Sequence, residues 1–443
     1  MLDHNAQAAA LQEDHAGRRA AVTVFDTPIY LRAGAGTGKT TTLVARILAW
    51  TTGQGWERAL REDPARAPSD TAQAVLAGVV AMTFTEAAAA DMDRKVREEL
   101  RKLSQGQTVL GLLAADLAPA APQRAQWLLD ALQGPLCTTI HAWCRGLLLR
   151  RHEAAQLDPQ FGVDGDGEAL RASVHDAVRA DLQALASVPK SEWMRLGQEG
   201  IWPRDVADEV VRLYSEGVRH EDLDADPWSE DAMRTWLEAA RALVASVVSY
   251  HTQAAPSFSK LKDWKSAFET LLDLHSSWSA VSDPSRSIEA ARASCANESL
   301  FKCLKIKPDK HQKALVTALG HDHAAFAQAT RSLYELLRDV PLFDREFHQA
   351  ARGLMQRMLL HAGEGLRIRA VVAQSDLLRL ARTVVEQHPE VRRAERARLR
   401  QVLLDEVQDT DPQQYALVRQ LCLQTEARTQ EGSANARPGL FIV

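Results

Sequence analysis

Ala33-Gly34-Ala35-Gly36-Thr37-Gly38-Lys39-Thr40 is the stretch from which the fold of this chain can be read. It follows a short apolar run, Ile29-Tyr30-Leu31, and precedes Leu43, Ile47 and Trp50 at helical spacing. The order is therefore strand, glycine-rich turn, helix. Glycines let the backbone amides turn inward around a phosphate, and the helix N-terminus adds a favourable dipole. Lys39 supplies a point charge to the β- and γ-phosphates, the Thr40 hydroxyl can ligate Mg²⁺, and Thr41 follows in the same turn. Ala33, Gly34, Ala35, Gly36, Thr37, Gly38, Lys39, Thr40 and Thr41 thus form a candidate site for ATP with Mg²⁺. Ala33 stands where the general pattern has Gly, one small residue for another. A merely flexible glycine-rich turn is the bland alternative, and the complete order of strand, lysine, threonine and helix argues against it.

Outward from this loop, the pattern of short apolar strands alternating with amphipathic helices predicts a parallel α/β sheet. Gly-Val-Val-Ala-Met-Thr at 78–83 is a second strand, valine-rich enough to be buried on both faces. Met92, Val96, Leu100 and Leu103 then share one helical stripe. Leu136 to Thr139 is a third strand, followed by a helix carrying Ile140, Trp143 and Leu147. From about Asp164 to Arg398 strand-like alternation vanishes, and Ala/Leu/Arg/Glu-rich helical segments are punctuated by prolines at 189, 203, 227, 256, 284, 308 and 341. The strand signal returns at Gln401-Val402-Leu403-Leu404 and at Gly439-Leu440-Phe441-Ile442-Val443. The expected fold is an α/β P-loop NTPase whose parallel sheet is interrupted by a large all-α insertion. The expected division is residues 1–163 for the first part of the ATPase domain, 164–395 for the helical insertion and 396–443 for the return to the sheet.

A phosphate loop needs a carboxylate at the end of a neighbouring strand for the metal and a base to orient the attacking water. Leu403-Leu404-Asp405-Glu406 offers both side by side: Asp405 for Mg²⁺, Glu406 to polarise water. Taken alone, the pair reads as two solvated acids at a strand end.

The bulk properties fit such a protein without proving it. A length of 443 residues exceeds one compact core and predicts two or three domains. Hydrophobic content of 46% with 25% charged residues is that of a globular chain. No apolar run approaches the ~20 residues that span a bilayer, and the N-terminus lacks a basic region followed by an apolar one. A cytoplasmic location with no membrane partner is therefore expected. The five cysteines form no C-x-x-C pair, so small buried hydrophobes are the expected reading. A net charge of −5 leaves any nucleic-acid binding to local basic patches.

Asp405-Glu406-Val407-Gln408-Asp409-Thr410, continuing Asp411-Pro412-Gln413-Gln414, resembles the D-E-x-Q-D-T…Q motif II of UvrD-like superfamily 1 DNA helicases. Val407 stands where that family usually has Phe. Thr83-Phe84-Thr85-Glu86 with Ala88-Ala89-Ala90-Asp91-Met92 is similar to motif Ia, T-F-T-x-x-A-A-x-E-M, with Ala87 in place of a basic residue and Asp91 in place of Glu. Thr138-Thr139-Ile140-His141-Ala142-Trp143-Cys144 resembles T-I-H-S-F-C, departing at Ala142 and Trp143. Leu157-Asp158-Pro159-Gln160-Phe161 and Gln374-Ser375-Asp376-Leu377-Leu378 are similar to the L-x-P-x-F and D-D-L-L segments. The motifs occur in family order from about residue 14 to 443, and the T-I-H-x-x-C and L-D-P-x-F elements with the helical insertion look like the AddA/RecB helicase–nuclease branch.

The resemblance implies a RecA-like ATPase domain, ATP-dependent DNA unwinding in repair or recombination, and 3′ to 5′ movement. It implies catalytic roles for Lys39, Glu406 and Gln408, with Thr40 and Asp405 at the metal. It places Thr83 and Phe84 near a DNA phosphate and base, and Thr139 and His141 at the next phosphates of single-stranded DNA. Trp143 could stack on a base, but its spacing with Ile140 and Leu147 favours the core. The family reads adenine through an upstream Gln, for which Gln12 and Asp14, in Leu11-Gln12-Glu13-Asp14 with Arg18, are candidates at loose spacing. Partners implied are single-stranded and duplex DNA and a second helicase–nuclease subunit. Lysine clusters at Lys260 to Lys265 and Lys302 to Lys313 are candidate phosphate contacts, with solvated helix faces as the blander reading. In the family the strand matching Leu440 to Val443 continues into motif III, so the resemblance implies the front half of a motor. One alternative from another class is a non-catalytic, truncated subunit that binds ATP and DNA. Another is an SMC-like ATPase, disfavoured by the absence of sustained heptads from Asp164 to Arg398.

Overall fold

A computed structural model of the chain describes residues 16–32, 38–109, 112, 116–184, 192–258, 262–280, 283–295, 300, 304, 319, 322–338, 340, 344–405, 412–423 and 437–443. The chain divides into two compact units: Met1–Leu170 with Ser215–Gly217 and Glu364–Val443, and Arg171–Tyr214 with Val218–Gly363.

The first unit is built on a parallel sheet. Its strands are β1 (Ile29–Tyr30), β2 (Val79–Thr83), β3 (Cys137–Thr139), β6 (Gln401–Leu404) and β7 (Gly439–Ile442), in the order β1-β7-β6-β2-β3. Every neighbouring pair is parallel. All five residues of β2 and all four of β6 are buried, as strands covered by helices on both faces must be. Alternation distributes them between two cores. Val79 and Ala81 of β2, Leu403 of β6 and Phe441 of β7 pack with Leu43, Ile47 and Leu48 of the helix Lys39–Thr52 and with Val96 and Leu100 of the helix Glu86–Ser104. On the other face Val80, Met82, Val402, Leu404 and Leu440 meet Trp143 and Leu147 of the helix Ile140–Arg150 and Leu377, Ala381 and Val385 of the helix Gln374–Gln387. The stripes read from the sequence are the buried faces: Met92, Val96, Leu100 and Leu103 on one helix, and Ile140, Trp143 and Leu147 on the other. The helix Lys39–Thr52 is buried from Thr42 through Thr52, more completely than its apolar spacing alone required.

A second, two-stranded sheet pairs β4 (Gly162–Asp164) with β5 (Val371–Ala373) in parallel. The Asp164 carboxylate accepts the amides of Ala169 and Leu170, at 3.2 and 2.9 Å, and so satisfies the start of the helix Glu168–Ala184. Residues 364–395, expected with the helical segment, group with the sheet, because β5 and the helix Gln374–Gln387 supply one of its covering layers.

In the second unit the elements that lie wholly within it, among the described residues, are helices. Its core gathers Leu237 and Val244 of the helix Glu230–Phe258, Leu274 and Trp278 of Lys262–Ala280, and Phe326 and Leu333 of His323–Leu337. Trp278 is completely buried, and its indole N–H is satisfied by the Ser287 carbonyl at 2.9 Å. Of the two lysine clusters, residues 260, 261, 302, 303 and 305–313 lie outside the described residues.

Candidate functional site

In a parallel sheet, ligands bind beyond the carboxyl ends of strands where successive connections leave in opposite directions. Here β2 leads to β3 on one side, while β6 leads to β7 on the other, so the reversal falls between β2 and β6. The Ala81↔Leu403 and Met82↔Leu404 register brings Thr83 and Asp405, the residues that end this pair, to the same edge. The Asp405 amide donates to the Met82 carbonyl at 3.0 Å, extending the ladder one residue past β6. A pocket opens at this point, lined by Met82, Thr83, Phe84, Ile140, Leu404, Asp405, Gln414 and Val418.

β1, two strands from β6 in the sheet, points its carboxyl end to the same edge. Gly38 caps the helix that follows, with φ 88° and ψ 27°, the left-handed conformation that glycine adopts without strain. A Cβ at Gly38 would lie 3.9 Å from Nη1 of Arg18 and 4.0 Å from Cβ of Thr41. Lys39 and Thr40 are the first two helical residues, and they and Thr41 are half-buried. First-turn amides lack intrahelical partners, so this terminus, bearing a lysine and hydroxyls, can hold an anion. Ala33, Gly34, Ala35, Gly36 and Thr37 lie outside the described residues, as do Gln12, Asp14, Glu406 and Gln408.

β3 flanks β2 on the other side, with Thr83 opposite Thr139. The structure therefore places Thr83, Phe84, Thr139 and His141 at the carboxyl end of the β2–β3 pair, with Thr83 and Phe84 lining the pocket that holds Asp405. Their environments differ. Thr83 is 4% exposed and its hydroxyl donates to the Thr85 carbonyl at 2.9 Å. Thr139 is 9% exposed and its hydroxyl accepts the Ala142 amide, capping the helix Ile140–Arg150. Phe84 is 58% exposed and His141 half-buried, so these two present the accessible side chains. Trp143 is 6% exposed, inside the core.

Gln414 has no separate role in the sequence reading, although it closes the motif II segment. Its signal there is its place at the end of the D-E-x-Q-D-T…Q segment, and the structure puts it on the helix Pro412–Val418 and in the pocket wall at 7% exposure.

Cys137, Cys144 and Cys422 are buried, and burial is the main cause that pushes each thiol up to about 12. Such thiols are neither nucleophiles nor metal ligands at neutral pH.

The family model described as the UvrD/REP helicase N-terminal domain matches residues 15–443. Among similar proteins, an ATP-dependent helicase/nuclease subunit from Desulforudis audaxviator is 29% identical over 231 residues, which are 52% of this chain and 16% of the relative. The protein of the same name from Desulforamulus reducens is 34% identical over 150 residues, 34% of this chain and 10% of the relative. That of Anoxybacillus flavithermus is 25% identical over 453 residues, covering 89% of this chain and 33% of the relative. The matched part of the chain thus spans at most 33% of the length of these relatives. Among the described residues no helix is long and apolar enough to cross a membrane.

Proposed function

Because this chain belongs to the UvrD/REP helicase N-terminal domain family, we propose that it is the ATP-binding part of a DNA helicase motor acting in repair or recombination. The sheet-bearing unit, which includes Met1–Leu170 and Glu364–Val443, is read as a RecA-like P-loop ATPase domain, and the helical unit between them along the chain as an insertion into it. The observation that carries this reading is the convergence of the Lys39–Thr40 helix terminus, Asp405 and Phe84 on the carboxyl edge of one parallel sheet.

In this reading the loop Ala33–Gly38 and Lys39 hold the β- and γ-phosphates of ATP through backbone amides and one ammonium group. Gly38, in a conformation that favours glycine, keeps the turn open to a phosphate. Thr40 and Asp405 fit a Mg²⁺ ion, one a hydroxyl at a helix start and the other a half-buried carboxylate at a strand end. That ion, when bound, neutralises phosphate oxygens and orients the γ-phosphate for in-line attack. Glu406 accepts a proton from the attacking water, and Gln408 positions it. Gln12 contacts the adenine. Phe84 offers a stacking face to a base of single-stranded DNA, and His141 a phosphate contact. Thr83 and Thr139, whose hydroxyls are engaged locally, shape the turns that present these two.

The relatives are named ATP-dependent helicase/nuclease subunits, and we extend ATP-dependent unwinding within a helicase–nuclease to this protein. The reading includes 3′ to 5′ translocation, a cytoplasmic location and a second helicase–nuclease subunit. The test is ATP turnover with and without single-stranded DNA for wild type, Lys39→Ala and Glu406→Gln. Wild type is expected to be stimulated by DNA, and both variants to lose at least about 100-fold. Undiminished turnover in both variants would refute the site assignment.

A further inference from the structure

We infer that Gln414 is a positioning residue through which DNA at Phe84 controls the Asp405 end of the ATP site. This rests on the reading above and adds to it a route between the two ligands. Phe84 and Asp405 are separated by little structure. The Asp405 amide bonds to Met82, and Met82 is followed by Thr83 and Phe84. Thr83 is buried and tied to the Thr85 carbonyl, while the Thr85 hydroxyl caps the helix Glu86–Ser104 at Ala88. A base stacking on Phe84 therefore presses on a segment that is bonded both to that helix and to the backbone of the metal carboxylate.

Phe84 and Asp405 also share one pocket. Its walls are mostly apolar, from Met82, Ile140, Leu404 and Val418, and Gln414 is the amide among them. A primary amide both donates and accepts, so it can bridge two groups at once. Being neutral, it neither replaces a metal carboxylate nor serves as a base. Inside an apolar wall an amide that turns from one set of partners must find another or bear the full desolvation penalty. Such a group favours discrete arrangements over gradual ones, which is what coupling between two sites requires. The helix that carries Gln414 runs directly into a widened, π-helical turn at Arg419–Leu423, a form common at functional sites.

The experiment compares ATP turnover with and without oligo-dT, and oligo-dT binding by anisotropy, in wild type, Gln414→Leu and the near-isosteric, uncharged Gln414→Met. Tyr415→Ala, altering a residue 51% exposed on the same helix, is the control for general disturbance. The expected result is that the ratio of stimulated to basal turnover falls about tenfold or more in both Gln414 variants. Basal turnover, ATP KM and oligo-dT affinity should stay within about threefold, and Tyr415→Ala should keep its stimulation. Unchanged stimulation in the Gln414 variants overturns the inference, as does an equal loss of basal and stimulated turnover, which would mark a purely structural role. If Lys39→Ala loses turnover while the Gln414 variants match wild type, only the coupling fails. If wild type shows no DNA-stimulated turnover, the reading of the site fails and the coupling with it.

Discussion

Arg46 is a charged residue with no exposed surface, in the middle of the helix that starts at Lys39. Its guanidinium donates to the carbonyls of Ala21 and Val24, both at 2.7 Å, and to the Gln401 side chain at 3.1 Å. It also lies 4.8 Å from the ring centres of Phe25 and Phe441. Burial lowers its pKa to about 10 from 12.5. Because the folded value is the lower one, this charge works against folding at every pH below about 10, by roughly 3 kcal/mol. The carbonyls and rings must offset that. Close approach is part of the arrangement: a Cβ at Gly439 would meet Gln401 Nε2 at 2.3 Å and the Phe25 carbonyl at 2.4 Å. Arg46→Ala would open a cavity and strand three acceptors, and should cost about 3–5 kcal/mol in chemical denaturation. Arg46→Met, which fills more of the volume, should cost less. A loss under about 1 kcal/mol for the alanine variant would contradict this role for Arg46. The buried thiols give a second residue-scale prediction. Cys137, Cys144 and Cys422 should resist iodoacetamide at pH 8 in the native protein and react after denaturation, as read by site-resolved mass spectrometry. Native labelling of all three would show that burial does not hold them protonated. Neither Arg46 nor its partners can be singled out in the sequence, since folding alone joins them across separations of 22, 25 and 355 positions.

Among the elements, the helix Pro389–Arg398 carries a buried carboxylate that faces three arginines. Glu395, with no exposed surface, faces Arg150 at 3.2 Å, Arg151 at 3.4 Å and Arg398 at 3.0 Å. Burial would raise its pKa, but Arg150 and Arg398 outweigh burial and hold it below the usual 4.5. A depressed carboxylate contributes stability that is complete above its unfolded value and is lost as pH falls through the folded one. Stability of the wild type should therefore include this contribution at pH 7 and lose it progressively below about pH 4.5, as followed by urea denaturation. Glu395→Gln should be less stable at pH 7 and show a shallower acid limb. An acid limb identical to wild type would mean that Glu395 is not a linked group. The strands at 79–83 and 401–404 lie within a residue of the apolar runs at 78–83 and 401–404, and the stripe Met92, Val96, Leu100 and Leu103 falls on the buried face of the helix Glu86–Ser104. β4 and β5 are not legible in the sequence, because they lie at the edge of and inside a stretch of helical composition and their pairing joins Gly162 to Val371. Thr85 and Thr139 stand in motifs whose resemblance implies DNA contact, and their N-cap bonds emerge only once the helix starts are fixed.

On the scale of the whole molecule, the sequence pattern predicts a parallel sheet, and the order β1-β7-β6-β2-β3 adds what no pattern could supply, the reversal between β2 and β6. That reversal brings Asp405 beside Thr83 although the whole helical unit lies between them along the chain. We propose this edge, with the Lys39 helix terminus, as a magnesium-dependent ATP site. Its most direct measurement is a fluorescence titration of a labelled ATP analogue with and without Mg²⁺, on wild type and Lys39→Ala. Saturable, magnesium-dependent binding is predicted for wild type, with an affinity at least about tenfold weaker for Lys39→Ala. Equal affinity for the two proteins, or none for wild type, would contradict it.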